Sequence, residues 1–154
     1  MEVRLELDSA SLYTAFSKAP ERVRSHLRIA LKVSAEGVKE HAQAHHAFKT
    51  RTGGVERSIS TGFVEPMSAT VSVGSQVGAF IHSGTRPHDI VPKNRSALRW
   101  ATPGSAKGFA FARKVHHPGT KPDPFLYAAL AAKEGAIVTR MQGAVSAAIK
   151  EVGL

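Results

Sequence analysis

The stretch from Ala79 to Phe125 constrains this chain most, because it carries two turns of nearly the same chemistry. The first runs Ala79-Phe80-Ile81-His82-Ser83-Gly84-Thr85-Arg86-Pro87, and the second Val115-His116-His117-Pro118-Gly119-Thr120-Lys121-Pro122-Asp123-Pro124-Phe125. Each has Gly-Thr near a histidine, followed by a basic residue and a proline. Glycine supplies positive φ and proline holds φ near about −65°, so this punctuation dictates backbone shape. The signature is therefore structural first, with Gly53, Gly84, Thr85, His117, Gly119, Pro124 and Phe125 as candidate turn and anchor residues. Between the turns lie the only tryptophan, Phe109 and Phe111, and a dense run of positive charge.

A chain of 154 residues, 42% of them apolar, can bury one core. One domain spanning 1–154 is expected. The absence of cysteine excludes a disulfide framework and thiolate chemistry, and fits assembly in a reducing cytoplasm. The first eight residues alternate charged and apolar side chains, and no apolar run approaches the ~18 residues that cross a bilayer. No standard secretion signal and no membrane partner are expected. A net charge of +9 admits nucleic acid, an anionic surface or an acidic protein as partner.

Val3, Leu5 and Leu7 alternate with charged residues and predict a short first strand, after which Asp8 and Ser9 can cap a turn carrying Leu12, Tyr13 and Phe16. Pro20 suits the start of a longer helix. Val23, Leu27, Leu31, Ala35, Val38 and Ala42 recur at three or four residues, which predicts one apolar stripe on a helix from Glu21 to about Phe48. Ile59–Val64 and Ala69–Val73 read as an antiparallel hairpin, and Val77–Ile81 lead into the first Gly-Thr turn. Leu98 and Trp100 alternate with Arg99 as Phe109 and Phe111 alternate with alanines, which predicts a second hairpin burying those four side chains on one face. Its tip, 102–108, has little to bury. Asp123 is expected to cap and Pro124 to start a last helix, with Leu126, Leu130, Ile137, Met141, Val145, Ala148 and Val152 as its stripe and Gly153 at its end. The fold class that follows is α+β: an antiparallel sheet packed by a long N-terminal helix and a C-terminal helix, with an extended basic hairpin arm at about 86–114.

The motifs also resemble those of a known family. Arg51-Thr52-Gly53-Gly54-Val55-Glu56-Arg57-Ser58-Ile59 resembles the "TG-x-L-x-x-S-I" segment of tail-completion and neck (head-tail connector) proteins of long-tailed bacteriophages, the lambda tail protein Z-like group. Phe80-Ile81-His82-Ser83-Gly84-Thr85 resembles their "Y-x-x-x-[EH]-x-GT" segment, and His117-Pro118-Gly119-Thr120-Lys121-Pro122-Asp123-Pro124-Phe125-Leu126 their "HPGT-x-x-x-PFL-x-x-A" close, with Ala129 at the small position. Val55 stands for a larger apolar residue and Phe80 for the usual tyrosine. The arm is longer than in the shortest members. The resemblance implies a virion structural protein, assembled in the host cytoplasm, that forms a homo-oligomeric ring, six copies being the expected number, at the head-proximal end of a tail. It implies tail terminator, tail tube or head-completion proteins as neighbours, possible DNA in the ring lumen, no cofactor and no catalysis. Arg86, Lys93, Arg95, Arg99, Lys107, Arg113, Lys114 and Lys121 are the interface candidates.

Other readings compete on the residues alone. The basic segment from Arg86 to Lys121, interleaved with Trp100, Phe109 and Phe111, has the composition of a nucleic-acid-binding module, against which stands the expected burial of the aromatics. His41 and His45 have the spacing of a two-histidine metal site without the glutamate of a zinc-protease helix. His82, His88, His116 and His117 could meet through the two turns, yet only Asp89 and Asp123 are near, and hydrogen bonds that fix the turns are the favoured role. Gly53-Gly54 lacks the Gly-Lys-Ser/Thr of a phosphate loop. Ser83 beside His82 is not how a triad is assembled, so an enzyme is not expected.

Overall fold

The computed structural model describes residues 21–64, 67–102 and 108–151. Helix α1, Glu21–Ala44, carries Glu21 in its first turn and buries Val23, Leu27, Leu31, Ala35, Val38 and Ala42, the predicted stripe. It stops short of the expected Phe48. The backbone N–H groups of Ala47 and Phe48, which a continuing helix would send to carbonyls four residues back, donate instead to Asp123 Oδ2 at 2.8 and 2.9 Å. The His46 ring stacks on Phe48 with centroids 3.7 Å apart, which holds the chain in this turned path.

After the one-turn helix α2, Gly54–Arg57, strands β1, Ile59–Val64, and β2, Ser68–Val73, pair antiparallel with Ile59 opposite Val73, Thr61 opposite Val71 and Phe63 opposite Ala69. Opposed residues share a face, so this set points at α1, where Thr61 bonds Glu36 and Leu31, Ala35 and Val38 complete the packing. The next run departs from expectation. Gln76–Ser83 is a helix, α3, capped by Ser75, whose hydroxyl accepts from the Gly78 N–H at 3.3 Å.

The last helix, α4, Phe125–Glu151, runs antiparallel to α1. Phe125, Leu126 and Ala129 meet Val38 and Ala42, whereas Ala148 and Val145 meet Val23 and Leu27. At the far end Glu151 takes Arg22 and His26, and midway Arg140 reaches the buried Ser34 at 3.2 Å. Asp123 does not cap α4 as expected, because its carboxylate is committed to the end of α1. The expected first strand and following turn, the end of α4 at Val152 and Gly153, and Lys107 lie outside the described residues.

Residues 85–102 and 108–120 form an antiparallel ribbon. Thr85 bridges Thr120; β3, His88–Ile90, pairs with β6, Val115–His117, in the same register. Beyond them β4, Leu98–Ala101, pairs with β5, Phe109–Ala112, displaced by five residues, so that 91–97 bulge on one limb opposite 113–114. The observed architecture is thus α+β, as expected, with its strands in three two-stranded antiparallel sheets among the described residues. The arm corrects a further expectation. Leu98 faces Ala112, Trp100 faces Ala110, Arg99 faces Phe111 and Ala101 faces Phe109, so Trp100 and the two phenylalanines lie on opposite faces. A register one residue away from the expected one inverts a strand's faces. Among the described residues no helix packs broadly on the ribbon, and Trp100, Phe109 and Phe111 are all exposed.

Candidate functional site: the turn node and the basic arm

The two Gly-Thr turns join at the base of the arm. The Thr85 N–H donates to the Thr120 carbonyl at 3.0 Å, and the Thr120 N–H returns the bond at 3.1 Å while also reaching Thr85 Oγ1 at 3.0 Å. Both glycines have positive φ, 71° at Gly84 and 89° at Gly119. A Cβ on Gly84 would stand 2.7 Å from the Thr120 carbonyl oxygen, and one on Gly119 would overlap that of Thr85. Glycine is thus required twice over, by conformation and by the close approach of two backbones. His117 Nδ1 accepts from the Gly119 N–H at 3.1 Å, which makes Nδ1 the unprotonated nitrogen, and its ring stacks on that of His88 across the ribbon.

From this node the second turn is tied into the body. The Asp123 N–H donates to the Ile81 carbonyl at 2.9 Å, and its carboxylate holds Ala47 and Phe48. Pro124 then leads into α4, where Phe125, 1% exposed, meets Phe48 and His82 edge-on at centroid distances of 5.4 and 5.3 Å. His82 is 4% exposed, and neither ring nitrogen has a hydrogen-bond partner among the described residues. Burial lowers its pKa, an effect that Asp123 partly offsets. Gly53, with φ 68°, occupies the N-cap of α2. The first motif and α3 line an open groove of about 400 Å³, with Phe48, Val55, Val77 and Ile81 among its walls.

On the arm the one carboxylate is already engaged. Asp89 meets Lys114 Nζ and His116 Nδ1 at 2.8 and 2.9 Å, and these contacts, Lys114 first, lower its pKa. Arg99 lies over the Phe109 ring, 3.7 Å from its centroid. Arg86, Lys93, Arg95, Arg113 and Lys121 are exposed and have no acidic partner among the described residues. The eight interface candidates therefore separate into five unpaired cations, one on an aromatic ring, one in an ion pair, and Lys107, which is not described.

The structure does not gather the histidines into one site. His41 and His45 stack with centroids 4.1 Å apart, His88 and His117 pair across the ribbon, His116 turns to Asp89, and His82 sits in the core. Among the described residues no group of three or more His, Cys, Asp or Glu is placed to hold a metal ion. Ser83 is exposed at the end of α3 while His82 is buried.

Sequence reasoning missed two features. Asp123 was legible as a cap but not as the clamp on a distant helix end, since no local pattern encodes that partner. Helix α3 had a signal, Ser75 before the run and Gly84 after it, and its consequence is that Val77 and Phe80, three residues apart on one helix side, are both exposed. No described helix is long and apolar enough to cross a membrane. Compared with known proteins, the chain matches no family model, and neither a curated protein nor a solved structure aligns with it significantly.

Proposed function

We propose that this chain is a structural protein of a bacteriophage virion, completing the head-proximal end of a long tail and joining it to the head connector as a homo-oligomeric ring. The observation that carries this reading is the convergence of the three motif segments. Residues separated by up to 76 positions in sequence are brought into contact: Val55 and Gly78 pack near Val73, Gly84-Thr85 pairs with Gly119-Thr120, and Asp123 ties Ile81 to the end of α1. Motifs that hold a single scaffold together are what a shared fold would preserve, so their joint occurrence weighs more than any one of them.

The surface supports an assembly role. Exposed Val77 and Phe80 offer an apolar strip on α3, and the unpaired cations of the arm offer directional attraction, each ion pair being worth only ~0–1 kcal/mol but repeated in every subunit of a ring. A particle made without the gene should give filled heads and separate tails by electron microscopy. Infectious particles of normal form would overturn the assembly role. Reversing Arg95, Arg99 and Arg113 to Glu tests the electrostatic part, with folded protein and unjoined tails as the expected result.

A further inference from the structure

We propose that the arm binds single-stranded nucleic acid, with bases stacking on Phe111 and Trp100 and phosphates held by the ribbon's unpaired cations. Charge supplies the first reason. Residues 86–121 hold eight of the 21 basic and one of the 12 acidic side chains, so +7 of the net +9 falls within them and the rest of the chain is nearly balanced. Within the segment the single carboxylate is occupied by Lys114 and His116, so its positive charge is left without an internal counter-charge. What the segment lacks is a polyanion.

The exposed rings give the second reason. Arg99 lies 3.7 Å over Phe109 and is paired in the ladder with Phe111, so a guanidinium and two aromatic side chains share one face of the ribbon. Stacked on a ring, a guanidinium keeps its N–H donors around its own edge, where a phosphate oxygen can take them. Phe111, 64% exposed, leaves a platform for the adjoining base. On the other face Trp100, 43% exposed, lies opposite Ala110, whose small side chain does not cover the indole. An acidic protein would match the charges but not this pattern. Trp100 on one face, and Arg99 with the two phenylalanines on the other, make no contiguous apolar patch of the kind found at the centre of a protein interface, whereas each base brings its own π-face to a single ring. A lone two-stranded ribbon is also marginal in water and gains order from a ligand that bridges its cations.

The purified full chain should be titrated with a fluorescent oligo-dT of about 20 nucleotides, the length of a few single-strand sites, following anisotropy and the emission of Trp100, the chain's only tryptophan. Binding is expected to quench Trp100 and to weaken steeply between about 50 and 200 mM salt. Phe111→Ala should weaken it about tenfold, the usual loss of one stacked base, without changing the melting temperature, and Phe111→Tyr should restore it. Equal affinity of Phe111→Ala and the parent chain would overturn the stacking role. Tighter binding to a duplex of the same length, or to polyglutamate, would overturn the single-strand assignment. The readout is independent of tail joining, so it stands or falls apart from the neck reading.

Discussion

Two hairpins in this chain have similar sequence patterns and opposite fates. In β1–β2, Ile59, Val71, Val73 and Ala69 are buried, whereas in β4–β5 Trp100, Phe109 and Phe111 are exposed. Both are antiparallel pairs with apolar residues at alternate positions. The difference lies in what stands behind the sheet. Helix α1 crosses the first pair and closes its face, and α4 closes α1 in turn, but among the described residues no element packs broadly behind the second. Alternation specifies a strand with two unlike faces. Only a second layer makes one of those faces a core.

The sharpest way to break this contrast is to remove the side chain on which the body converges. Phe125 is in the cluster with Leu31, Val38, Val71 and Leu126 and touches Phe48 and His82. Phe125→Ala should cost about 3–5 kcal/mol, the range for deleting a buried ring, and should lower the thermal midpoint clearly. By contrast Phe111→Ala on the arm should leave that midpoint in place. Equal loss from the two would mean that the arm is part of the core.

The node between body and arm comes next in size. Gly119→Ala places a Cβ against the Thr85 carbonyl on a backbone with φ 89°, and a non-glycine residue in such a conformation costs about 1–3 kcal/mol. Calorimetry should show the loss, and amide exchange should show it as earlier opening of the Thr85 and Thr120 N–H groups. Unchanged protection at Thr85 would mean that the two turns hold together without the bridge.

Most of the body was legible in sequence because each of its elements has a period that matches its surroundings. The α1 stripe survived intact, and the β1–β2 hairpin had the expected limbs. The α4 stripe was found in its essentials, with Leu126, Ile137 and Ala148 buried. The turn residues were legible for a different reason: glycine and proline act through local backbone conformation, which sequence encodes directly. The arm was not legible to the same depth. The Thr102 N–H and the Gly108 carbonyl close the hairpin at 3.1 Å, and a shift of register by one residue decides whether Trp100 joins the phenylalanines or opposes them. Likewise Asp123 chose Ala47 and Phe48 over its own helix, a preference that rests on contacts 75 and 76 positions away.

A smaller effect distinguishes the core histidine from the surface charges. Burial lowers the pKa of His82 from its ordinary 6.5, so the folded state favours the neutral ring while the unfolded chain takes a proton near 6.5. Stability is then fully present above about pH 6.5 and falls as pH drops through that value towards the lower folded pKa. His41, also lowered by burial, with His45 and Lys133 adding to it, contributes in the same direction. The lowered carboxylates Glu36, Glu56, Asp89 and Glu151 act in a separate window, below their ordinary values of 3.8 to 4.5. Because both nitrogens of His82 are buried without partners, His82→Leu should be at least as stable at pH 7.5 and should flatten the decline between pH 6.5 and 5. Urea midpoints across that range measure this, and an unaltered decline would assign the titration to His41.

The smallest expected change in stability is on the arm, and there the absence of an effect is the informative result. Deleting 102–108 removes the closure of β4–β5 but no side chain of the buried clusters. The ribbon below it is still held by the β3–β6 pairs and the Thr85–Thr120 bridge. Arg99 would lose its ordered place over Phe109, an exposed contact worth about 0.5–1 kcal/mol, and that loss falls on the arm alone. The thermal midpoint of the shortened chain should therefore match the parent within the scatter of surface changes, about 0.5 kcal/mol, while amide exchange accelerates only in 91–114. A lowered midpoint would show that the arm stabilises the body through contacts at its base, and the two hairpins would then differ in degree of burial and no longer in kind.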